Sequence, residues 1–343
     1  MKSRFVEFVS PYNVRVGQDD LKWPQPNKLL IKTTVSAISS GTELLVYRGR
    51  WPKNCSVDET ISSLSDNFRY PLKYGYSTVG EVLDVGPGLD QSWIGKRVFS
   101  FNPHESLFTA SPQDTISIPD NVDTLDACML PNMETAVNLV MDGHPLIGER
   151  VCVFGLGVVG LLTTAVLNAT GLESLTTFDT FDVRRDASVR LGAHRSIDPA
   201  QIAECSSDNV PNAFGDVLGS ADLTFELSGN PEALNSAIEV TGFAGRIIVG
   251  SWYGSKTAEI NLGGSFHRSR LKICSSQVST IAPEFSARWT KTRRMDLAFS
   301  FLRKVRPSSL ITNRFHISQA ASAYELVDRK PGEAIQVIFT YED

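Results

Sequence analysis

The run Val151-Cys-Val-Phe-Gly155-Leu-Gly157-Val-Val-Gly160 combines residue types and spacing suited to phosphate chemistry. Four apolar residues read as a buried strand, and Gly155, Gly157 and Gly160 then open a helix at the GxGxxG spacing. The first glycine permits a tight turn, the second lets backbone approach a pyrophosphate, and the third lets helix pack closely on strand. The unpaired N–H groups at that helix start, around Leu156, Val158 and Val159, suit negative phosphates. A helix follows over Leu161–Thr170, Gly171 ends it, and Leu175-Thr-Thr-Phe178 reads as a second strand closing on Asp179. An acid at that distance from the glycines suits a ribose diol. The bland alternative is a glycine-rich strand–helix turn that holds no ligand.

Asp179 also bears on which nucleotide would bind. A carboxylate about 4 Å from a 2′-phosphate costs roughly 4 kcal/mol of repulsion at an effective dielectric near 20, so the acid favours NAD over NADP. Arg184 and Arg185 pull the other way, because arginine pairs well with phosphate. Read plainly, they are exposed charges at a helix start.

The elements around this turn predict an α/β protein. Up to about residue 125 the chain reads as short strands with turn punctuation, clearest at Leu29–Ile38, Gly80–Gly86 and Arg97–Phe101. Thr124 to Met141 is helix-like. Strand–helix alternation then runs to about residue 275, with candidate parallel strands at Val151–Phe154, Leu175–Phe178, Leu223–Leu227, Gly245–Gly250 and Leu271–Ser275. Such alternation predicts a doubly wound parallel sheet with helices on both faces. The tail adds a helix (Ala287–Lys304), a strand near Ile311–Phe315, a helix (Ser318–Val327) and a last strand, Ala334–Thr340.

At 343 residues the chain exceeds the length one hydrophobic core usually serves, so two domains are expected. The formal net charge of −5 and the lack of a long Lys/Arg run argue against a nucleic-acid partner. The densest basic stretch, Lys291 to Arg294, reads as a solvated helix face. No apolar stretch is long enough to span a membrane. The opening residues alternate like a strand and lack the apolar block of a signal peptide, so a cytoplasmic protein is expected. The five cysteines (Cys55, Cys128, Cys152, Cys205, Cys274) are scattered without a CxxC, which supports neither a disulfide framework nor a four-cysteine zinc site. Cys152 and Cys274 lie in apolar strand-like runs, where cysteine behaves as a small hydrophobe.

A β-rich front, a central dinucleotide-binding unit and a helix–strand return resemble the medium-chain dehydrogenase/reductase superfamily over nearly the whole chain. The resemblance rests on Gly75-Tyr-Ser-Thr-Val-Gly-Glu-Val82, Gly95-Lys-Arg-Val98, the glycine turn, Leu191-Gly-Ala193, Glu226-Leu-Ser-Gly-Asn230, Leu310–Phe315 and Gly332–Val337. More locally, Ser36-Ala-Ile-Ser-Ser-Gly-Thr-Glu-Leu44, Gly250-Ser-Trp-Tyr-Gly254 and Ser275-Ser-Gln-Val278 look like a branch named for bacteriochlorophyllide dehydrogenases, which also holds proteins labelled alcohol dehydrogenases. The resemblance implies a GroES-like catalytic domain over residues 1–125 and 284–343, and a Rossmann dinucleotide-binding domain over 126–283.

Zinc enzymes of that superfamily place a cysteine after the long front strand, a His-Glu pair after a glycine, and a cysteine or glutamate before the central domain. Those positions fall here at Ser39 or Ser40, at Tyr76-Ser77, and near Leu130-Pro131. Zinc needs thiolate, imidazole or carboxylate donors. Glu43, His104 and Glu134 are left as improvised donors, and a zinc-free member is expected. Zinc polarises a carbonyl by several kcal/mol, and a fixed hydroxyl aimed at the developing alkoxide supplies about 3–4 kcal/mol. Thr42, Tyr76 and Ser40 are the candidate hydroxyls. His104 is the candidate proton carrier, since an unperturbed imidazole titrates near a pKa of about 6.5, and Glu43 is a further candidate. Tyr76 as a core ring, His104 as a loop cap and Glu43 as a loop brace stand against these roles.

By resemblance, Thr135 lies beside the nicotinamide, Arg184 matches a basic residue also found in NAD enzymes, and Ser228, Gly250 and Ser251 border the cofactor. Gln277 is expected to bond substrate or carboxamide. Trp51, Tyr70, Tyr76, Phe101, Trp252 and Tyr253 would form an aromatic wall for a bulky or flat substrate. A homodimer is expected through Gly254–Arg270. The expected activity is zinc-independent hydride transfer between NAD(H) and a secondary alcohol or ketone. Reduction of an activated C=C bond or a quinone, and a non-catalytic dinucleotide-binding protein, are the alternatives.

Overall fold

The alternation expected after residue 124 is realised in a computed structural model that describes residues 1–52, 68–201 and 217–342. The chain divides into two compact units, Met1–Pro131 with Arg306–Asp343, and Asn132–Val305. The front segment supplies strands β1 (Lys2–Ser10), β2 (Asn13–Asp20) and β3 (Leu29–Ala37), helix α1 (Ser40–Tyr47), then β4 (Leu72–Lys73), β5 (Thr78–Val85), β6 (Arg97–Ser100), β7 (Leu107–Ala110), β8 (Thr115–Ser117) and the short α2 (Thr124–Ala127). The middle carries α3 (Leu130–Gly143), β9 (Arg150–Phe154), α4 (Val158–Leu167), β10 (Ser174–Phe178), α5 (Asp182–Arg190), β11 (Arg195–Ile197), β12 (Ala221–Glu226), α6 (Ala233–Val240), β13 (Thr241–Val249), β14 (Lys272–Ser275) and α7 (Lys291–Val305). The tail closes with β15 (Ile311–His316), α8 (Ala320–Arg329) and β16 (Gln336–Thr340).

In the first unit β3 is the hub. Its β-branched and leucine side chains are buried at Leu29, Leu30, Ile31 and Val35, as a central strand requires. It pairs antiparallel with β5, β7 and β16, and through β16 the tail joins the front segment. The seven-stranded sheet runs β15-β16-β3-β5-β6-β8 with β7 on β3, and a smaller sheet runs β2-β1-β4. Phe8, Tyr47, Trp51, Tyr74, Tyr324 and Phe339 lie in one core of this unit.

In the second unit six parallel strands take the order β11-β10-β9-β12-β13-β14. Chain direction across the sheet reverses between β9 and β12, the switch point at which open α/β sheets bind ligands. The register levels Phe154 with Phe178 and Glu226, Glu226 with Val249, and Val249 with Ser275. Gly155, Asp179, Leu227, Gly250 and Ser276 therefore all emerge one residue past the same edge. The stacked rings of Phe154 and Phe178, 4.3 Å between centroids, seal the sheet below it.

Several expectations are revised. The helix expected over Thr124–Met141 is two helices, because Pro131 starts α3 where its missing N–H costs nothing. The three-residue strand β11 was too short to leave a periodic signal. The unit divisions at 131/132 and 305/306 differ from the expected boundaries at 125/126 and 283/284. The physical reason for the tail is α7, which Arg294 ties to α3, so this helix belongs to the second unit. Arg294 is also fully buried, so the basic stretch is no uniformly solvated face. Cys152 is buried, and burial pushes its thiol up to about 12. Cys274 is exposed on the edge strand β14 rather than packed as a hydrophobe. Cys55 and Cys205 lie outside the described residues. No helix among the described residues is long and apolar enough to cross a membrane.

Candidate active site

The glycine turn is built by steric necessity. Gly155 has φ +86°, and a Cβ there would sit 2.3 Å from the Ser228 Cα. A Cβ on Gly160 would lie 1.9 Å from the Gly155 carbonyl oxygen, so helix α4 packs on the strand end only without one. Around Gly157, by contrast, nothing lies within 4 Å of a built Cβ. Gly157 caps α4 without a side-chain acceptor. The N–H groups of Val158 and Val159 thus face the turn without a cap, and the helix dipole adds positive potential there. The arrangement fits a pyrophosphate.

Asp179 is buried beside this turn, and its carboxylate accepts the Leu156 N–H at 2.8 Å and the Phe181 N–H at 2.9 Å. Arg184 lies 3.7 Å from the same carboxylate and over the Phe181 ring. Burial lowers the pKa of its guanidinium, and Asp179 opposes that shift. Arg185 donates to the Asp179 carbonyl at 2.7 Å and pairs with Asp182 and Asp198.

Glu226 was not singled out from the sequence, yet it organises the next part of the edge. It is fully buried at the end of β12, accepting the Ser228 N–H at 2.8 Å, the Ser228 hydroxyl and the Tyr253 hydroxyl at 2.5 Å. Burial and the adjacent carboxylate raise the Tyr253 phenol. Tyr253 is therefore committed to Glu226 through its hydroxyl, and Ser228 serves the same carboxylate. Ser251 Oγ accepts the Gly229 N–H at 2.9 Å. Gly250 is pressed against Leu139 and Leu227, each about 2.5 Å from a built Cβ. Thr135 is half-buried on α3, Trp252 is half-exposed, and Gln277 is exposed with its amide folded back onto Ser279.

In the first unit the candidate hydroxyls do meet. Tyr76 Oη bonds Ser39 Oγ and donates to Thr42 Oγ1 at 3.2 Å. The serine that reaches the phenol is Ser39, the residue before α1, rather than Ser40. Directly behind them is a buried acid–base pair. Glu43 accepts the Ser39 N–H at 2.7 Å and the Tyr324 hydroxyl at 2.5 Å, and its Oε2 is 3.1 Å from His104 Nε2. His104 Nδ1 meets Ser36 Oγ at 2.6 Å, and Ser36 meets the Tyr341 hydroxyl at 2.6 Å. His104 and Glu43 are fully buried. Both imidazole nitrogens are engaged, so His104 is locked into a brace, not exposed as a proton carrier. Gly75, at φ +123°, makes room for it, since a Cβ there would lie 2.7 Å from His104 Nε2. Burial and the Glu43 charge push the Tyr324 phenol well above its ordinary range.

The aromatic wall is only partly assembled. Trp51 stacks on Phe68 at 5.3 Å, Phe68 meets Tyr70 edge-on, and Trp51 meets Tyr74, which leads edge-on to Tyr76. The Tyr70 hydroxyl donates to the Val46 carbonyl, and burial raises its pKa to about 12. Phe101 packs apart from this ladder, on Phe99. Trp252 and Tyr253 belong to the other unit.

The described residues at the expected zinc positions are engaged elsewhere. Ser39 and Tyr76 hold each other, Ser77 donates to the Cys128 carbonyl, and Leu130 is apolar and buried. Glu43 and His104 are saturated by their own network, and Glu134 pairs with Arg294. Among the described residues no three His, Cys, Asp or Glu side chains gather at metal-binding geometry.

Residues 158–293 match the family model described as zinc-binding dehydrogenase. Sorbitol dehydrogenase 1 from Saccharomyces cerevisiae is 22% identical over 302 residues, covering 78% of this chain and 81% of that protein. (R,R)-butanediol dehydrogenase from Bacillus subtilis is 25% identical over 277 residues, covering 73% of this chain and 77% of that protein. A crystal structure of an alcohol dehydrogenase from Escherichia coli complexed with NADH superposes with a TM-score of 0.76 at 18% identity, covering 99% of each chain.

Proposed function

We propose that this chain is a member of the medium-chain dehydrogenase/reductase superfamily and acts as a zinc-independent, NAD(H)-dependent oxidoreductase on a bulky secondary alcohol or ketone. The observation that carries the reading is the glycine turn with Asp179 beside it. The uncapped helix start suits the pyrophosphate, and the Asp179 carboxylate suits a ribose diol and repels a 2′-phosphate. The bound nicotinamide supplies the carbon that accepts or gives hydride. The pairing of Arg184 and Arg185 with acids of their own region supports NAD over NADP.

The Ser39–Tyr76–Thr42 cluster then does the work on oxygen. Three hydroxyls meet there, joined by two hydrogen bonds inside the cluster. The cluster thus gathers hydroxyl donors that a substrate oxygen could meet. In ketone reduction one such donor meets the developing alkoxide and passes it a proton. In alcohol oxidation the same hydroxyl takes the substrate's proton while passing its own to water, as hydride leaves carbon. Such a donor supplies about 3–4 kcal/mol. The exposed edge strand β14 and the Gly254–Arg270 segment before it are where a homodimer would pair.

The donor set at the metal positions also favours a second reading, reduction of a conjugated C=C bond or quinone, where conjugation already spreads the developing charge. The test is calorimetric titration with NADH and NADPH, then a panel of secondary alcohols, ketones, enones and quinones with and without a chelator. NADH binding with chelator-insensitive ketone or alcohol turnover is expected. Turnover confined to enones or quinones selects the second reading. Failure of both nucleotides to bind refutes the proposal, and binding without any turnover selects a non-catalytic role.

A further inference from the structure

A fully buried arginine that shares no hydrogen bond with the glycine turn has no part in the chemistry above. Arg294, on α7, makes five hydrogen bonds with its five N–H groups. Nε and Nη2 donate to Glu134 Oε1 at 3.1 and 2.8 Å. Nη1 donates to Asn138 Oδ1 at 2.5 Å and to the Thr280 carbonyl at 3.0 Å, and Nη2 donates to the Val278 carbonyl at 2.5 Å. Two acceptors stand on α3 and two on the segment after β14, so one guanidinium joins two elements that are remote in sequence.

A second layer ties the same elements together. Asn138 Nδ2 donates to Asp142 at 2.9 Å and to Ser276 Oγ at 3.0 Å, and Ser276 donates to Asp142 at 2.6 Å. The anchored residues on α3 are 134, 138 and 142, one face at helical spacing. Those after β14 are 276, 278 and 280, on a segment that leaves the strand and turns at 278–279. Thr135 and Gln277 thus lie between fixed points. Both are candidates for the nicotinamide end of the cofactor; Ser276 emerges at the sheet edge that carries Gly155 and Asp179, and Asn138 ties α3 to it.

We infer that Arg294 is a positioning residue for nicotinamide: it fixes the spacing between Thr135 on α3 and the 276–280 segment. This inference rests on the nucleotide reading given above. The adenosine half and pyrophosphate lie at Gly155–Gly160 and Asp179, which share no hydrogen bond with Arg294. Disturbing the guanidinium should therefore change binding of the ring and spare the rest of the nucleotide. A lysine keeps the charge but loses the planar fork, and reaches fewer of the four acceptor groups.

The test compares NADH with ADP-ribose, which lacks the nicotinamide, by calorimetry on the full chain and on its Arg294→Lys variant, with emission of bound NADH as a second readout. A fall in NADH affinity on the order of tenfold, unchanged ADP-ribose affinity and a shifted emission are expected. Parallel losses for both ligands mean a merely structural role, and no change in either means no role; each overturns the inference. If Arg294→Lys does not fold, Asn138→Ala, which removes one arginine acceptor and the link to Ser276, is measured the same way with the same expected split. A wild-type chain that binds ADP-ribose but gains nothing from the nicotinamide overturns this inference alone. One that binds neither ligand overturns the nucleotide reading as well.

Discussion

Replacing Glu43 by glutamine changes almost no volume and reverses the direction of a whole hydrogen-bond chain. An ionised carboxylate only accepts, and three donors converge on this one: the Ser39 N–H, the Tyr324 O–H and His104 Nε2–H. The neutral imidazole carries its proton on one nitrogen. With Nε2–H facing Glu43, Nδ1 must accept from Ser36, and Ser36 accepts from Tyr341. Every member is satisfied in that one arrangement. A glutamine at 43 brings two N–H donors of its own to a place where three already meet.

If its oxygen keeps the Ser39 N–H, its NH2 faces Tyr324 and His104. Tyr324 then loses its acceptor. His104 must shift its proton to Nδ1, Ser36 must turn toward Tyr341, and the Tyr341 O–H is left without a partner. Two buried phenol hydrogens are orphaned, each costing about 1–3 kcal/mol. Relief from burying a charge offsets part of this. We expect Glu43→Gln to lose about 2–4 kcal/mol of stability in urea unfolding followed by far-ultraviolet circular dichroism. Turning the amide the other way sets its NH2 against the Ser39 N–H and does not escape the count. A variant within about 0.5 kcal/mol of wild type would refute the network as described.

Three further outcomes follow from the same geometry. Tyr76→Phe removes the central hydroxyl of the Ser39–Tyr76–Thr42 cluster, so turnover should fall on the order of 10²-fold while NADH affinity, measured by calorimetry, stays level. Asp179→Asn keeps an acceptor for the Leu156 N–H but removes the charge that repels a 2′-phosphate, so the ratio of NADPH to NADH affinity should rise by on the order of 10²-fold or more in paired titrations. Gly75→Ala adds a Cβ to a residue at φ +123°, 2.7 Å from His104 Nε2. It should cost more than about 2 kcal/mol in the same unfolding assay and should broaden or shift the His104 ring resonances in nuclear magnetic resonance spectra.

The parallel sheet was legible because its central strands are buried apolar runs with glycines in the turns that lead into them, so each of the five strands expected there lies within a few residues of an observed one. What escaped was either too short to show a period, like Arg195–Ile197, or interrupted by chemistry outside the hydrophobic pattern, like the Pro131 start of α3. The glycine turn and Asp179 were equally legible, since a missing Cβ and a strand-end acid act locally. Two of the candidate hydroxyls, Thr42 and Tyr76, could be named from their positions. That Ser39 rather than Ser40 completes the cluster depends on where α1 begins, which a one-residue ambiguity hides.

The buried charges were the least legible part, although each carried a faint signal. Arg294 reads with its basic neighbours as a solvated face, yet Arg294, Ala298 and Leu302 fall at intervals of four and are all buried, so the arginine lies on the apolar stripe of its helix. Glu43 likewise shares a face with Val46 and Tyr47, both buried. A charge on an apolar stripe is costly unless partners arrive from elsewhere. For Arg294 they are two side chains of α3 and two carbonyls after β14; for Glu43 they are His104 and, 281 residues on, Tyr324. A single sequence shows the helix face but not those distant donors and acceptors. The same physics that hides such residues makes them decisive: each buried charge is tolerated only when several remote elements are brought together, so it defines where those elements must be. Glu43 does this behind the hydroxyls of the first unit, and Arg294 does it at the sheet edge of the second.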